Sequence, residues 1–559
     1  MLLLLAVALG GCGGEAPPAD RFEYDLALRG GTLYLGGDRL EVGDLAVRGD
    51  RIIAVGEAPG RAQREVAAEG LVVAPGFIDL HNHSDAVYQR LGWLPLPPSV
   101  HANRNYLTQG VTTIVTGNCG TGPARPEALR DFLQEMDERP FGTNVAHLVP
   151  HGDVRFAALG EAQLEREDPK PTPEELEQMR EIVAEGMRAG AFGLSTGLEY
   201  DPGARAETGE IVELARVVAG FGGIYASHTR HEGPDPEQTL DSYAEAIEVA
   251  ERAGLPAHIS HIKLSGLAVH GMADAVIALV ESAHAAGLRV TADQYPYIAG
   301  STTLARPAPV LLRDGLRVHP RYCEGPGREE LRAGIAHTFA TELTPEQMLV
   351  SIYPWRFWLQ GRTVAEIAEA RGEDPVEVAI ELACGWPGAG IYFSQDEGDL
   401  RTFMQRPWVA TASDGTTFYD AIAGVAHPRL YGTFPRKLRR YALDEGVVSL
   451  AFALRSMTEL PADVLGLGER GRLQPGSFAD VVVFDPEAIR DVATFEESGR
   501  HSEGVRYLLV NGQLALDEGE PTGVRAGRAL RGPGFEAPTA GAPSLEASVL
   551  AGARPRSKE

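Results

Sequence analysis

Cysteine is scarce in this chain: four in 559 residues, at Cys12, Cys119, Cys323 and Cys384. So few, so widely spaced, exclude a disulfide scaffold, and no CxxC pair offers a structural zinc site. Lysine is rare beside arginine; only Lys170, Lys263, Lys437 and Lys558 interrupt a basic complement that is otherwise Arg. A basic stripe is missing too. With 51 Lys+Arg against 78 Asp+Glu, the net charge of −27 argues against a general nucleic-acid binder. What is abundant is apolar. At 44% hydrophobic and 23% charged, the composition is that of a chain with a large buried core, not of a disordered one.

The opening run from Met1 to Leu9 is apolar but falls short of the roughly 20 residues that span a bilayer. Leu9-Gly10-Gly11-Cys12 follows, then a Gly/Pro/Ala tether through Ala19. This resembles a bacterial lipoprotein signal, in which small residues precede a cysteine that becomes lipidated and N-terminal, although the usual basic n-region is missing. A plain signal peptide or an unstructured tail is the alternative. The lipoprotein reading implies an exported protein on the periplasmic side of a bacterial cell envelope, touching membrane only through a lipid on Cys12. At the other end, residues 532–559 are rich in Ala, Gly, Pro and Ser and read as a disordered tail.

Between the ends the pattern is α/β. Residues 20–73 carry short strand-like runs with turn punctuation, and the same texture returns over 468–531, so the two ends are expected to pair as one small β-sandwich. Over 74–467 eight strand-like runs alternate with helical patterns: 74–83, 111–120, 144–155, 191–198, 222–230, 256–263, 289–297 and 408–415. That alternation predicts a TIM-type (β/α)8 barrel with its active site at the C-terminal strand ends. The last connection is too long for one crossover helix and predicts an insertion at about 300–407.

Chemistry gathers at those strand ends. The first run closes in His81-Asn82-His83, whose alternate imidazoles face the same way and can share one divalent ion. The second closes in Gly117-Asn118-Cys119-Gly120; a thiolate is a good zinc ligand, though a lone buried cysteine is commonly inert. The fifth and sixth close in Ser227-His228-Thr229-Arg230 and Ser260-His261-Ile262-Lys263, each setting a histidine beside a cation two residues on. The eighth closes in Ser413-Asp414-Gly415, a carboxylate able to bind metal or carry a proton, and equally an ordinary turn. His258 has the opposite parity to His261, and His147 and His151 repeat no pattern; all three are read as structural. That six candidate groups, His81, His83, Cys119, His228, His261 and Asp414, each follow a predicted barrel strand points to a metal-dependent hydrolase.

The motifs APGFIDLHNHSD, TGNCG, GLSTGLEYDPG, SHTRHEG, SHIKLSG, DQYPY, ASDG and HPRLYGTFPR, in this order from about Tyr24 to Gly512, resemble the amidohydrolase superfamily and within it the D-aminoacylase (N-acyl-D-amino-acid deacylase) family. The resemblance implies a barrel with a small β-sandwich built from both chain ends. It implies a tight zinc on Cys119, His228 and His261, and a weaker second metal position at His81, His83 and Asp414. Strand four has no lysine for the carboxylated bridge of many superfamily members, which disfavours the hydantoinase and dihydroorotase branches. Asp414 would be the general base and acid. Tyr200, Arg230, Lys263, and Tyr295 or Arg429, would grip the α-carboxylate of a small N-acyl-D-amino acid.

The residues leave open a cyclic amidase, an L-specific amidohydrolase, or a non-catalytic envelope binding protein that keeps a relic site. Acyl-group preference, oligomeric state and any pairing of Cys323 with Cys384 are open as well.

Overall fold

The computed structural model describes residues 22–85, 98–160, 163, 166, 168–314, 317–417 and 425–537. The lipidation expectation at Cys12 therefore lies outside the described residues. Among those residues, no helix is long and apolar enough to cross a membrane.

Eight parallel segments form the centre: strand one Phe77–Asp79, two Val111–Thr116, three Asn144–His147 continued as Val149–Pro150, four Gly193–Gly197, five Ile224–His228, six Ala257–Ile259, seven Val290–Gln294 and eight Val409–Thr411. Each pairs with the next in sequence order. A parallel bridge between Asn82 and Gly415, just past strands one and eight, returns the last to the first. Strands two and four are buried at every position, as expected where parallel strands are covered on both faces. The helices between them carry their own start and stop signals. Pro173–Ala189 opens with a reciprocal capping box between Thr172 and Glu175 and ends at Gly190 (φ 116°), burying Met179, Val183 and Met187 in the main core.

The first predicted strand run divides. Val72–Pro75 belongs to a nine-stranded sheet and Phe77–Asp79 to the central ring. Gly76 lies between them, where a Cβ would come within 2.3 Å of the Thr112 side chain, so only glycine fits this transfer. Both chain ends enter that one sheet: Val481–Phe484 pairs antiparallel with Val72–Pro75. A buried polar junction ties the sheet to the barrel. Asp480 accepts from Asn144 Nδ2 (3.1 Å) and from the Asn511 N–H (2.7 Å), and pairs with Arg470.

Three sequence boundaries move. Residues 151–155 of the expected third strand instead open the helix His151–Leu159. The insertion has a separate core running from Leu304 to Tyr392, but helix Glu397–Met404 packs into the main core through Leu400, Phe403 and Met404. Within the insertion Cys323 and Cys384 form a disulfide. The tail begins later than 532: the Gly532 N–H bonds to the Gly190 carbonyl and the Glu536 N–H to that of Arg188, so the terminal expectation falls on residues 538–559, outside those described.

Candidate active site

The six expected groups converge at the C-terminal ends of the strands. Three of them, Cys119, His261 and Asp414, have left-handed backbones (φ 53°, 35° and 46°), unusual for residues other than glycine. Strain of this kind persists only where the surroundings fix it, and it aims side chains that a regular strand would turn elsewhere. Gly117, beside Cys119, is also left-handed (φ 77°), and a Cβ there would meet the Leu148 carbonyl at 2.2 Å.

Cys119 lies at the centre of the group. Its Sγ is 3.2 Å from His81 Nε2, 3.6 Å from His228 Nδ1 and 3.6 Å from His261 Nε2. The donor atoms of Cys119, His228 and His261 lie within 4.8 Å of one another, and so do those of His81, His83 and Cys119. Asp414 Oδ1 sits 3.2 Å from His83 Nε2 and 3.6 Å from His81 Nε2, while its Oδ2 meets Arg429 at 2.8 Å. One thiolate with imidazoles on every side, edged by one carboxylate, is a donor set suited to zinc.

The electrostatics agree with that donor chemistry. Burial alone would raise the Cys119 thiol, but the surrounding imidazoles hold it well below its usual range. Burial alone would lower His83 and His228; carboxylates and the thiolate prevail and raise them to about 9 and about 10. The buried Asp414 carboxyl is likewise held well below its usual range, against burial, chiefly by Arg429 and His81.

Carboxylates behind the imidazoles set their orientation. Asp293 Oδ2 reaches His258 Nε2 at 2.8 Å and His81 Nδ1 at 3.4 Å, and its Oδ1 accepts the His261 N–H at 2.8 Å. His258 is thus structural, as expected, although strand six ends at Ile259 and His261 lies beyond it, so parity does not decide between the two. His147, bonded to Thr116, and His151, bonded to Glu210 at 2.9 Å, are structural too. Glu199 approaches His228 Nε2 at 3.3 Å, and Glu232 touches both His228 and His261. Sequence reasoning passed over Asp293, Glu199 and Glu232. Each sits inside a motif that carries the resemblance, yet an acid behind a histidine follows no fixed spacing.

The expected carboxylate grip is partly corrected. Arg230 is turned into structure: its guanidinium donates twice to Glu245 (2.9 and 2.8 Å) and to the carbonyls of Ala204 and Ala206. Strand five stops at His228, so alternation does not carry to Arg230. Lys263 reaches the metal-side cluster, with Nζ 2.6 Å from Glu232. Arg429 stacks its guanidinium 4.7 Å above the Tyr295 ring, beside Asp414. The Tyr200 ring lies 4.8 Å from that of His228, and its hydroxyl lies 3.3 Å from Thr302 Oγ1 of the insertion.

The amidohydrolase family model matches residues 64–322 and 351–515. The chain is 36% identical over 534 residues to a D-aminoacylase of Alcaligenes xylosoxydans xylosoxydans, covering 92% of this chain and 98% of that one. It is also 36% identical over 547 residues to an N-acyl-D-glutamate deacylase of the same organism, covering 94% and 99%. Among solved structures, an N-acyl-D-glutamate deacylase from Bordetella bronchiseptica, complexed with zinc and a phosphonate inhibitor, superposes with a TM-score of 0.75 at 32% identity, over 91% of this chain and 99% of that one. The chain belongs to the amidohydrolase family, in its D-aminoacylase branch, and is a metal-dependent amidohydrolase.

Proposed function

We propose that this enzyme hydrolyses the amide bond of N-acyl-D-amino acids, releasing a carboxylate and a free D-amino acid, with one zinc held by Cys119, His228 and His261. The observation that carries the reading is the placement of Cys119 Sγ within 3.2–3.6 Å of three imidazole nitrogens, on a barrel whose fourth strand has no lysine. Zinc held there would polarise the scissile carbonyl and acidify a water.

The chain's own residues account for the remaining chemistry. Asp414, kept ionised, takes the proton of the attacking water and returns it to the departing nitrogen. His81 and His83 hold its Oδ1 and Arg429 its Oδ2, so the carboxylate is oriented before substrate arrives. Lys263, Arg429 and Tyr295 supply cations and a hydroxyl for the α-carboxylate, and Tyr200 lines the wall toward the insertion. Paired acids do not disqualify the two cations: a substrate carboxylate can share a guanidinium or ammonium that already has one partner. His81, His83 and Asp414 offer a second, weaker position for a divalent ion.

The test is a panel of N-acetyl-D, N-acetyl-L and cyclic amide substrates, with zinc content measured on the same protein. Activity on N-acetyl-D substrates with about one zinc per chain supports the reading; activity on L or cyclic substrates alone overturns it.

We also propose export to a bacterial cell envelope, with lipid on Cys12 as the only membrane attachment. The Cys323–Cys384 disulfide supports it, because such bonds persist in oxidising compartments. Metabolic labelling with a radioactive fatty acid, lost in Cys12→Ser, tests it; equal labelling of that variant contradicts it.

A further inference from the structure

Glu199, His228 and Glu232 bring three donor atoms within 4.8 Å on the far side of His228 from Cys119. They do not make another cation site, because both acids already face cations: Glu232 meets Lys263 Nζ at 2.6 Å and Glu199 meets Arg313 at 3.8 Å. Glu232 is the more connected of the two. Its Oε1 lies 3.1 Å from His261 Nδ1, and its Oε2 lies 2.6 Å from Lys263 Nζ and 3.6 Å from His228 Nε2. Both imidazoles turn their other nitrogen toward Cys119, so the nitrogens facing Glu232 carry hydrogen when the ring binds metal.

Lys263 Nζ also stands 2.8 Å from His261 Nδ1. Two N–H donors that close repel each other unless an acceptor is shared between them, and Glu232 is that acceptor. We infer that Glu232 is a positioning residue of the reaction: one buried carboxylate that fixes the tautomer of both zinc imidazoles while holding the substrate-gripping ammonium against the metal side of the pocket. Acids that accept from ligand imidazoles in this way govern how firmly a metal stays. This rests on the zinc-deacylase reading, but its test does not use substrate, so the two can fail separately.

The experiment follows zinc loss from the full chain to a chromophoric chelator. Glu232→Gln leaves one amide oxygen for several donors and turns an N–H toward Lys263 or an imidazole. Zinc loss should quicken about 10–100-fold. Removing the ammonium as well, in Glu232→Gln/Lys263→Met, frees the amide oxygen for His261 and should recover most of that loss, which a merely structural role would not do. Glu245→Gln, which disturbs the contacts of Glu245 with Arg230 and Thr208 and none with His228, His261 or Lys263, should keep wild-type retention. If Glu232→Gln does not fold, Glu232→Asp, which withdraws the charge by one methylene, should quicken zinc loss in the same direction. Wild-type retention in the Glu232 variant tested, or a double variant that loses zinc as fast as Glu232→Gln, would overturn the inference.

Discussion

Asp79, the last residue of strand one, accepts both the backbone N–H and the hydroxyl of Ser413, at 2.8 and 2.6 Å. Ser413 immediately precedes Asp414, so this contact joins the ends of strands one and eight and sets the backbone from which the proposed base projects. Burial raises the Asp79 carboxyl to about 6 even though Ser413 and Asn82 donate to it. Asp79→Ala removes the acceptor for the Ser413 N–H and hydroxyl, the Asn82 amide and the His81 N–H, all buried. It should lower kcat by about 10-fold or more while Cys119, His228 and His261 keep their zinc. Metal analysis beside steady-state kinetics checks it; zinc lost in step with activity would assign Asp79 to metal retention.

Asp414→Asn should abolish proton transfer without dismantling the thiolate-centred triad. The expected loss in kcat is about 10²–10⁴-fold, with zinc content unchanged. A variant retaining near-wild-type kcat would move the base elsewhere.

The two arginines named at the outset should behave oppositely. Arg429→Met should raise KM for N-acyl-D-amino acids more than for the matching amides, which lack the carboxylate. Arg230→Met should leave that ratio alone and cost about 2 kcal/mol of stability, because it breaks charged hydrogen bonds to Glu245. Kinetics on paired acid and amide substrates, with urea unfolding, separates the two.

This contrast shows what the sequence could and could not reveal. His81, His83, Cys119, His228, His261 and Asp414 were legible because strand ends impose an order on them. Arg230 and Lys263 each stand two residues beyond a histidine, but both lie past the end of their strands, where alternation has no authority. Their directions are decided by Glu245 and Glu232, partners that only folding brings near. The transfer at Gly76 is written in the sequence only as Pro75-Gly76 inside the run 74–83, and the close approach of Thr112 shows why glycine is needed at the joint between the two sheets.

Lys437 is a buried ammonium whose hydrogen bonds go to Thr411 and Ser456, both at 2.9 Å, with no acid among these partners. Burial lowers it to about 7 from its usual 10.5. The unfolded chain therefore binds more protons than the folded one between those values. Stability should rise with pH across that window, by up to about 1.4 kcal/mol per pH unit, and be lost as pH falls toward 7. Lys437→Met should be more stable than wild type at pH 7 and lose that advantage by about pH 10. Urea unfolding of both proteins across this range tests it; parallel pH profiles would contradict it.

The Cys323–Cys384 bond closes a loop of sequence separation 61 inside a core separate from that of the barrel. Chain-entropy reasoning gives about 4 kcal/mol for a loop of this size. Cys323→Ser/Cys384→Ser should accordingly unfold its insertion at lower temperature while the zinc centre persists. Calorimetry with zinc analysis reads both; a single transition carrying zinc away with it would show the two units to be thermally inseparable.

The most direct test of the central claim is hydrolysis of matched N-acetyl-D and N-acetyl-L amino acids by the full chain, with zinc quantified on the same sample. The expected result is turnover of the D-substrates with about one zinc per chain, and loss of both zinc and turnover in Cys119→Ala. Turnover confined to L-substrates, or undiminished turnover and zinc in Cys119→Ala, would contradict it.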